Sequence, residues 1–325
     1  MTQSIQSINR RRFLQSTSAA IACGACCQLH ADEPAGDAKQ SAVIDIHQHI
    51  NFSDRNNETL LAHQKTMGIS KSILLPAGSP MNTRSTRGGV GNGLEADVFD
   101  TQAAADFVSQ HSDAYAFFCN EVPDSEDAIK KLEGWLEKGA IGIGESKFHI
   151  EIDSPPMMRV YEVARAYNVP ILMHFQYQTY SLGFDRMPKI LEKFPTVNFI
   201  GHAQTFWANI SAGHEQKVLY PKTPVVPGGL TDHLLSDYPN MFGDLSAGSG
   251  HNAMTRDMDH AAAFLQRHHK KLFFGTDCSD KVGTGDKCSG SKQLALVRQL
   301  VTDPVQRNAI LFGNANRLIF RNEDE

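Results

Sequence analysis

The sequence is poor in the features that mark several large protein classes. Its charge is not basic: 31 lysines and arginines stand against 36 acids, a net −5. Removing residues 1–31 takes away Arg10, Arg11 and Arg12 and no acid, leaving about −8, which argues against nucleic acid or an anionic membrane surface as a partner. Cysteine is scarce. Of six, Cys23, Cys26 and Cys27 lie in the first 31 residues, and Cys119, Cys278 and Cys288 remain. An odd, small number is no disulfide scaffold. Cys278 and Cys288 either pair in an oxidising compartment, closing a short loop, or are ordinary thiols. No Gly-rich phosphate fingerprint follows the first apolar run, which disfavours an open nucleotide-binding sheet.

The N-terminus reads as an export signal. Arg10-Arg11-Arg12-Phe13-Leu14 precedes a soft stretch of Ala, Ser and Cys and the small-residue site Leu29-His30-Ala31. The apolar part is too short to span a bilayer. The order Arg-Arg-x-Phe-Leu resembles a twin-arginine signal, which implies extracytoplasmic, periplasmic delivery of a folded protein. A lipoprotein anchor on one of the nearby cysteines is the alternative, but no good lipobox precedes any of them. The expected organisation is a signal over 1–31, a polar linker over 32–41 and one catalytic domain over 42–325.

What is abundant is short apolar runs. Strands are expected at 42–49, 71–77, 114–122, 140–149, 170–175, 197–203, 240–247 and 271–277. Helical patterns lie between them, as in 154–168 with Ser154 as cap and in 124–139 with an acidic first turn and terminal Gly139. Eight strands, each followed by a helix, in fewer than 300 residues predict an α/β fold, a (β/α)8 barrel. Function in such barrels sits at the C-terminal ends of the strands. The polar outliers fall there: His47 and His49, then Glu145, Lys147 and His149, then His174, His202 and Asp277. Strict alternation puts Asp45, His47 and His49 on one face and Ile44, Ile46 and Gln48 on the other. Two inward imidazoles suit a divalent ion such as Zn²⁺, and Asp277 completes a mixed nitrogen and oxygen set.

The motifs "DIHQH", "GIGE", "LMHF", "FIGHA", "FFGTD" and "ILFGNANRLI" resemble the amidohydrolase superfamily. The likeness is to its amidohydrolase-related (amidohydrolase 2) branch of metal-dependent decarboxylases and lactone hydrolases, and it covers residues 42–320. The resemblance implies metal ligation by His47, His49, His174 and Asp277. It implies that His202 binds or activates the attacking water or joins a second metal. It also brings in Glu145 or Lys147 as a bridge between two metals, although these two could equally form an ion pair, or Lys147 hold a substrate carboxylate; one metal is preferred.

The expected chemistry is hydrolysis of an amide, lactone or ester bond by metal-activated water, with Asp277 or His202 moving the proton. Non-oxidative decarboxylation or hydration of a small acid is the runner-up, and a non-catalytic binding barrel the third reading. Decarboxylation needs a fixed basic residue near the metal, for which Arg84, Arg87 and Arg256 are candidates. Arg84 and Arg87 (in the loop 78–93), Trp207 (in 204–230) and His251 are candidate contacts to a small-molecule substrate. His268 and His269 are expected to cap a helix C-terminus, and His63, His111, His233 and His260 to be structural or on the surface. Self-association into a homo-oligomer is left open.

Overall fold

The computed structural model describes residues 42–322. The expected export signal and linker, with Cys23, Cys26 and Cys27, lie outside the described residues. Eight short parallel strands alternate with helices: β1 (Ile44–Gln48), β2 (Lys71–Leu74), β3 (Tyr115–Phe117), β4 (Ile143–Ser146), β5 (Ile171–His174), β6 (Phe199–His202), β7 (Met241–Asp244) and β8 (Leu272–Phe273). The helices are α1 (Asn57–Met67), α2 (Thr101–Gln110), α3 (Ala128–Glu137), α4 (Pro155–Tyr167), α5 (Met187–Lys193), α6 (Ala203–Ala208), α7 (Leu230–Asp237), α8 (Ala247–Thr255), α9 (Met258–His268), α10 (Ser289–Leu300), α11 (Pro304–Asn308) and α12 (Asn314–Leu318). None of them is long and apolar enough to cross a membrane.

Strands β1 to β3 form one ladder and β4 to β8 another, each in sequence order. Two seams close them into a cylinder. At one, the Cys119 amide donates to Gly142 O at 2.9 Å and the Gly144 amide to Cys119 O at 2.8 Å. At the other, the Ile46 amide donates to Phe274 O at 3.1 Å. The chain is therefore a (β/α)8 barrel, and every expected strand is present. Asp277, expected to end the eighth strand, lies four residues beyond β8 in a positive-φ turn, where its amide donates to His47 O at 2.8 Å.

Helix α4 lies where its prolines place it and ends at Asn168, in the left-handed region with φ 53°. The Ser154 hydroxyl makes no cap bond, contrary to expectation. Pro156 removes one of the two amides from which such a cap accepts.

Two apolar layers follow from strand alternation. Ile44, Ile46, Leu172, Ile200, Phe242 and Phe273 fill the barrel interior. Val43, Ile171, Met173, Phe199 and Met241 face the helices. In β5, β6 and β7 the inward set continues to His174, His202 and Asp244, two residues past Leu172, Ile200 and Phe242. Strand β1 breaks the rule. Asp45 pairs with Ser72 and Gln48 with Leu74, so three steps along β1 match two along β2. That is a one-residue bulge, and it shifts the phase of alternation. Ile44 and Ile46 point inward, Asp45 points to the helix side, and His47 points inward all the same. Asp45 and His47 therefore do not share a face as strict alternation requires. Strand β4 carries a second bulge, since Ile143 pairs with Ile171 and Ser146 with Met173.

The outer layer is tight where β6 meets α6. A Cβ added at Gly201 would run into the Phe206 ring and lie 2.8 Å from Met241 Cε. Gly201→Ala is expected to cost about 1–3 kcal/mol by overpacking. Urea titration of both proteins checks this, and an unchanged midpoint would contradict the packing described.

Candidate metal centre

Three imidazoles and three carboxylates converge at the barrel mouth. His47 (0% exposed) leaves β1 just after the bulge, and its Nδ1 lies 2.7 Å from Asp244 Oδ2. Asp244, also 0% exposed, is held well below the ordinary carboxylate range: burial opposes ionisation, but His47 and His202 outweigh it. Being ionised, it accepts, so His47 Nδ1 carries the proton and Nε2 presents its lone pair. His49 Nδ1 lies 2.6 Å from Leu75 O. A carbonyl only accepts, so His49 too presents Nε2. The two Nε2 atoms are 3.2 Å apart, with Asp277 Oδ1 3.3 Å from that of His49 and 3.8 Å from that of His47.

The third ring follows the same logic. Ser246 Oγ donates to Asp244 Oδ2 at 2.7 Å and accepts from His202 Nδ1 at 3.0 Å. His202 Nε2 is thereby left as a base, 3.6 Å from Glu145 Oε1 and 3.7 Å from Asp277 Oδ2. Glu145 closes the ring of groups, its Oε2 3.8 Å from His47 Nε2 and 3.9 Å from His49 Nε2. Its carboxyl is held well below the usual range: burial opposes this, while His174 and then His47 drive it.

These groups fit a divalent cation. Two lone pairs facing each other at 3.2 Å, beside buried ionised carboxylates, need a positive charge between them. Without one, the proton takes its place: burial disfavours a charged His47, but Asp277 and Asp244 prevail and push its pKa up to about 10. Two overlapping donor sets lie within ligating reach, His47–His49–Asp277 and His47–Glu145–His202, each with donor atoms within 4.8 Å of one another.

His174, an expected ligand, reaches this centre through Glu145. Its Nδ1 lies 2.5 Å from Glu145 Oε1, while Nε2 faces the Gln176 side-chain amide at 3.3 Å. Lys147 is not an ion-pair partner of Glu145. Its ammonium bonds Glu95 at 2.7 Å and lies 5.4 Å from the Tyr180 ring centroid. Arg84 and Arg87 are exposed on the loop after β2, with Arg87 5.9 Å from the Tyr180 ring. Arg256 donates to Ala208 O, and His251 on α8 contacts Gln293 on α10 at 3.1 Å. Trp207, 1% exposed, belongs to the core rather than a pocket wall, where its indole donates to Asp244 O at 2.8 Å. His269 bonds Gln266 O as a C-cap, whereas His268 is buried against Asp232 at 2.5 Å. A cavity of about 440 Å³ is lined among others by His149, Gln176, Tyr177, Thr205 and Asn209.

Asp244 is the residue of this cluster that sequence reasoning did not single out, although it closes the seventh apolar run as His202 closes the sixth. Asp45 does not orient the His47 ring. It accepts from the His47 amide at 3.0 Å, the Thr276 amide at 2.9 Å and Gln64 at 2.8 Å, and so ties β1 to the turn after β8.

Asp244→Asn keeps the shape but removes the charge that sets the His47 tautomer. It is expected to weaken metal affinity by about 10–100-fold. Competition with a chelator measures this, and an affinity equal to the parent's would remove Asp244 from that role.

The sequence model of the amidohydrolase family (Amidohydro_2) matches residues 44–321. Searched against curated proteins, the chain finds no match. Among solved structures it is similar to an uncharacterized TIM-barrel protein from Bordetella bronchiseptica, at 13% identity and TM-score 0.59, over 86% of this chain and 99% of that one. It is similar to 2,6-dihydroxybenzoate decarboxylase from Rhizobium, at 13% identity and TM-score 0.54, over 87% and 99%. It is similar too to a probable 2-pyrone-4,6-dicarboxylic acid hydrolase from Acinetobacter baumannii, at 12% identity and TM-score 0.52, over 86% and 99%. At these identities the structural likeness shows the fold, and the family match spans most of the chain: the protein belongs to the amidohydrolase family.

Proposed function

We propose that the chain is a metal-dependent hydrolase that cleaves an amide, lactone or ester bond in a small molecule. The observation that carries this reading is the pair of Nε2 lone pairs of His47 and His49, 3.2 Å apart and fixed from behind, with Asp277 beside them. Zn²⁺ or another divalent ion held by these residues would lower the pKa of water from about 15.7 towards roughly 7 and polarise a carbonyl. His47 and His49 hold their rings for that ion. Asp277 and His202 share the proton work: the lone pair on His202 Nε2 and the ionised Asp277 carboxylate face the same space, 3.7 Å apart. Either takes a proton from the attacking water and returns it to the leaving group. Glu145, bonded to His174, adds negative charge on the opposite side.

Decarboxylation is the second reading, favoured by the likeness to 2,6-dihydroxybenzoate decarboxylase. It needs a basic group to hold a substrate carboxylate near the metal. Lys147 is engaged by Glu95, and Arg84 and Arg87 are exposed on the loop after β2, Arg87 lying 5.9 Å from the Tyr180 ring. Hydrolysis makes no such demand, and for that reason is preferred.

Chelation is expected to abolish activity and readdition of Zn²⁺ to restore it. His47→Ala and His49→Ala are each expected to lose metal while keeping the circular dichroism of the barrel; variants that retain metal and activity would refute the site. Assay of a carbonyl-substrate library with CO₂ detection separates the two reactions, since CO₂ release without a hydrolytic product overturns the preferred one. The Arg-Arg-x-Phe-Leu motif supports an extracytoplasmic setting. Replacing Arg10 and Arg11 by Lys is expected to block export, as read by cell fractionation, and unchanged export would contradict it.

A further inference from the structure

A second cluster of metal-ligating groups lies behind the mouth. His63 is on α1, and Cys278 and Cys288 stand at the two ends of the loop that joins Asp277 to α10. All three are at most 1% exposed. Cys278 Sγ and Cys288 Sγ are 3.7 Å apart, and Cys288 Sγ is 3.4 Å from His63 Nε2. The three donor atoms lie within 4.8 Å of one another. A disulfide would need sulfurs roughly 2.05 Å apart. Tetrahedral zinc, with Zn–S of about 2.3 Å and Zn–N of about 2.0–2.1 Å, sets two thiolates about 3.8 Å apart and a thiolate and an imidazole nitrogen about 3.6 Å apart. The two distances observed, 3.7 Å and 3.4 Å, lie close to those such an ion sets.

The surroundings agree. His63 Nε2 is the ring nitrogen that faces the sulfurs, while Nδ1 is buried without a hydrogen-bond partner. Asp280 Oδ2, fixed by the amides of Val282 and Gly283 at 2.8 Å each, lies 4.0 Å from His63 Nε2 as the nearest carboxylate. Arg55 is buried and donates to the carbonyls of Cys278 and Asp280, bringing positive charge next to the sulfurs. Cys119, by contrast, has only the carbonyls of Leu132 and Gly142 near its sulfur, and burial pushes its thiol up.

We propose that His63 Nε2, Cys278 Sγ and Cys288 Sγ bind a zinc-class divalent ion, with Asp280 as the nearest further donor, in a structural site that clamps the loop carrying Asp277 to α1. Binding releases both thiol protons to solvent and involves no redox change. A thiolate pair is a soft site, distinct in chemistry from the imidazole and carboxylate centre at the mouth.

Cobalt separates the two. Co²⁺ added to the reduced, metal-free full-length chain is expected to give a sulfur-to-cobalt charge-transfer band that saturates within two equivalents, one for each site. The mouth centre has no sulfur and cannot produce it, so this readout is independent of the proposed catalytic function. The band is expected to vanish in the Cys278→Ser/Cys288→Ser variant, to weaken in His63→Ala, and to persist when Cys23, Cys26 and Cys27 are changed to Ser. Should the cysteine variants fail to fold, alkylation of the parent decides: Zn²⁺ is expected to protect two thiols, identified by peptide mass as Cys278 and Cys288. Absence of the band, a band that follows the N-terminal cysteines, or alkylation unaffected by Zn²⁺ would overturn the proposal. So would a Cys278–Cys288 disulfide in the purified protein with no band after its reduction.

Discussion

The hydrogen bond between His47 Nδ1 and Asp244 holds the mouth of the barrel together. It crosses from the first strand to the seventh and fixes the protonation of a fully buried ring. A buried carboxylate is costly unless its oxygens are satisfied. Here Oδ2 receives His47 and Ser246, and Oδ1 receives the Ser246 amide at 3.0 Å. Trp207 holds the backbone carbonyl of the same residue, which couples α6 to the end of β7. Through Ser246 the carboxylate also sets the tautomer of His202. One anion in the layer behind the centre thus decides which nitrogen two of its three rings offer.

The loop after β2 closes the fourth and fifth strands from above. The Asn92 amide donates to Lys147 O at 3.1 Å, and the His149 amide to Ser85 O at 2.7 Å. Glu95 receives both the Lys147 ammonium and the Tyr180 hydroxyl. Arg84 and Arg87, which sequence suggested as anion binders, are exposed on this cover. Their position reflects solvation: a guanidinium buried without a partner would cost more than it contributes.

The barrel was legible because each strand is an apolar run of the right length, bounded by turns and helical patterns. His47, His49, His202 and Asp277 were legible as polar residues that close such runs. What was hidden has a physical reason in each case. Asp244 is a polar residue at a strand end, but an aspartate before Leu245 and Ser246 looks like an ordinary strand terminator. The partner of Lys147 is 52 residues away in a loop with no periodicity. His63 occupies a helix position where a buried imidazole and a surface one give the same pattern, and its neighbours in space are more than 200 residues distant. The facing of Asp45 was misread because alternation assumes equal steps on both strands, and β1 takes three where β2 takes two.

That unequal step has a consequence for how the site is inherited. The inward aim of His47 is not written in the chemistry of any side chain between Asp45 and Gln48. It is written in how many residues the strand spends there. Point substitutions around it can change stability or polarity and leave the aim untouched, whereas loss of a single codon would turn the ring towards the helices. Strand β4, with its own extra residue ahead of Ser146, stands under the same rule. Both strands therefore answer to insertion and deletion more sharply than to replacement, and chain length at two places acts as a determinant of the site's geometry.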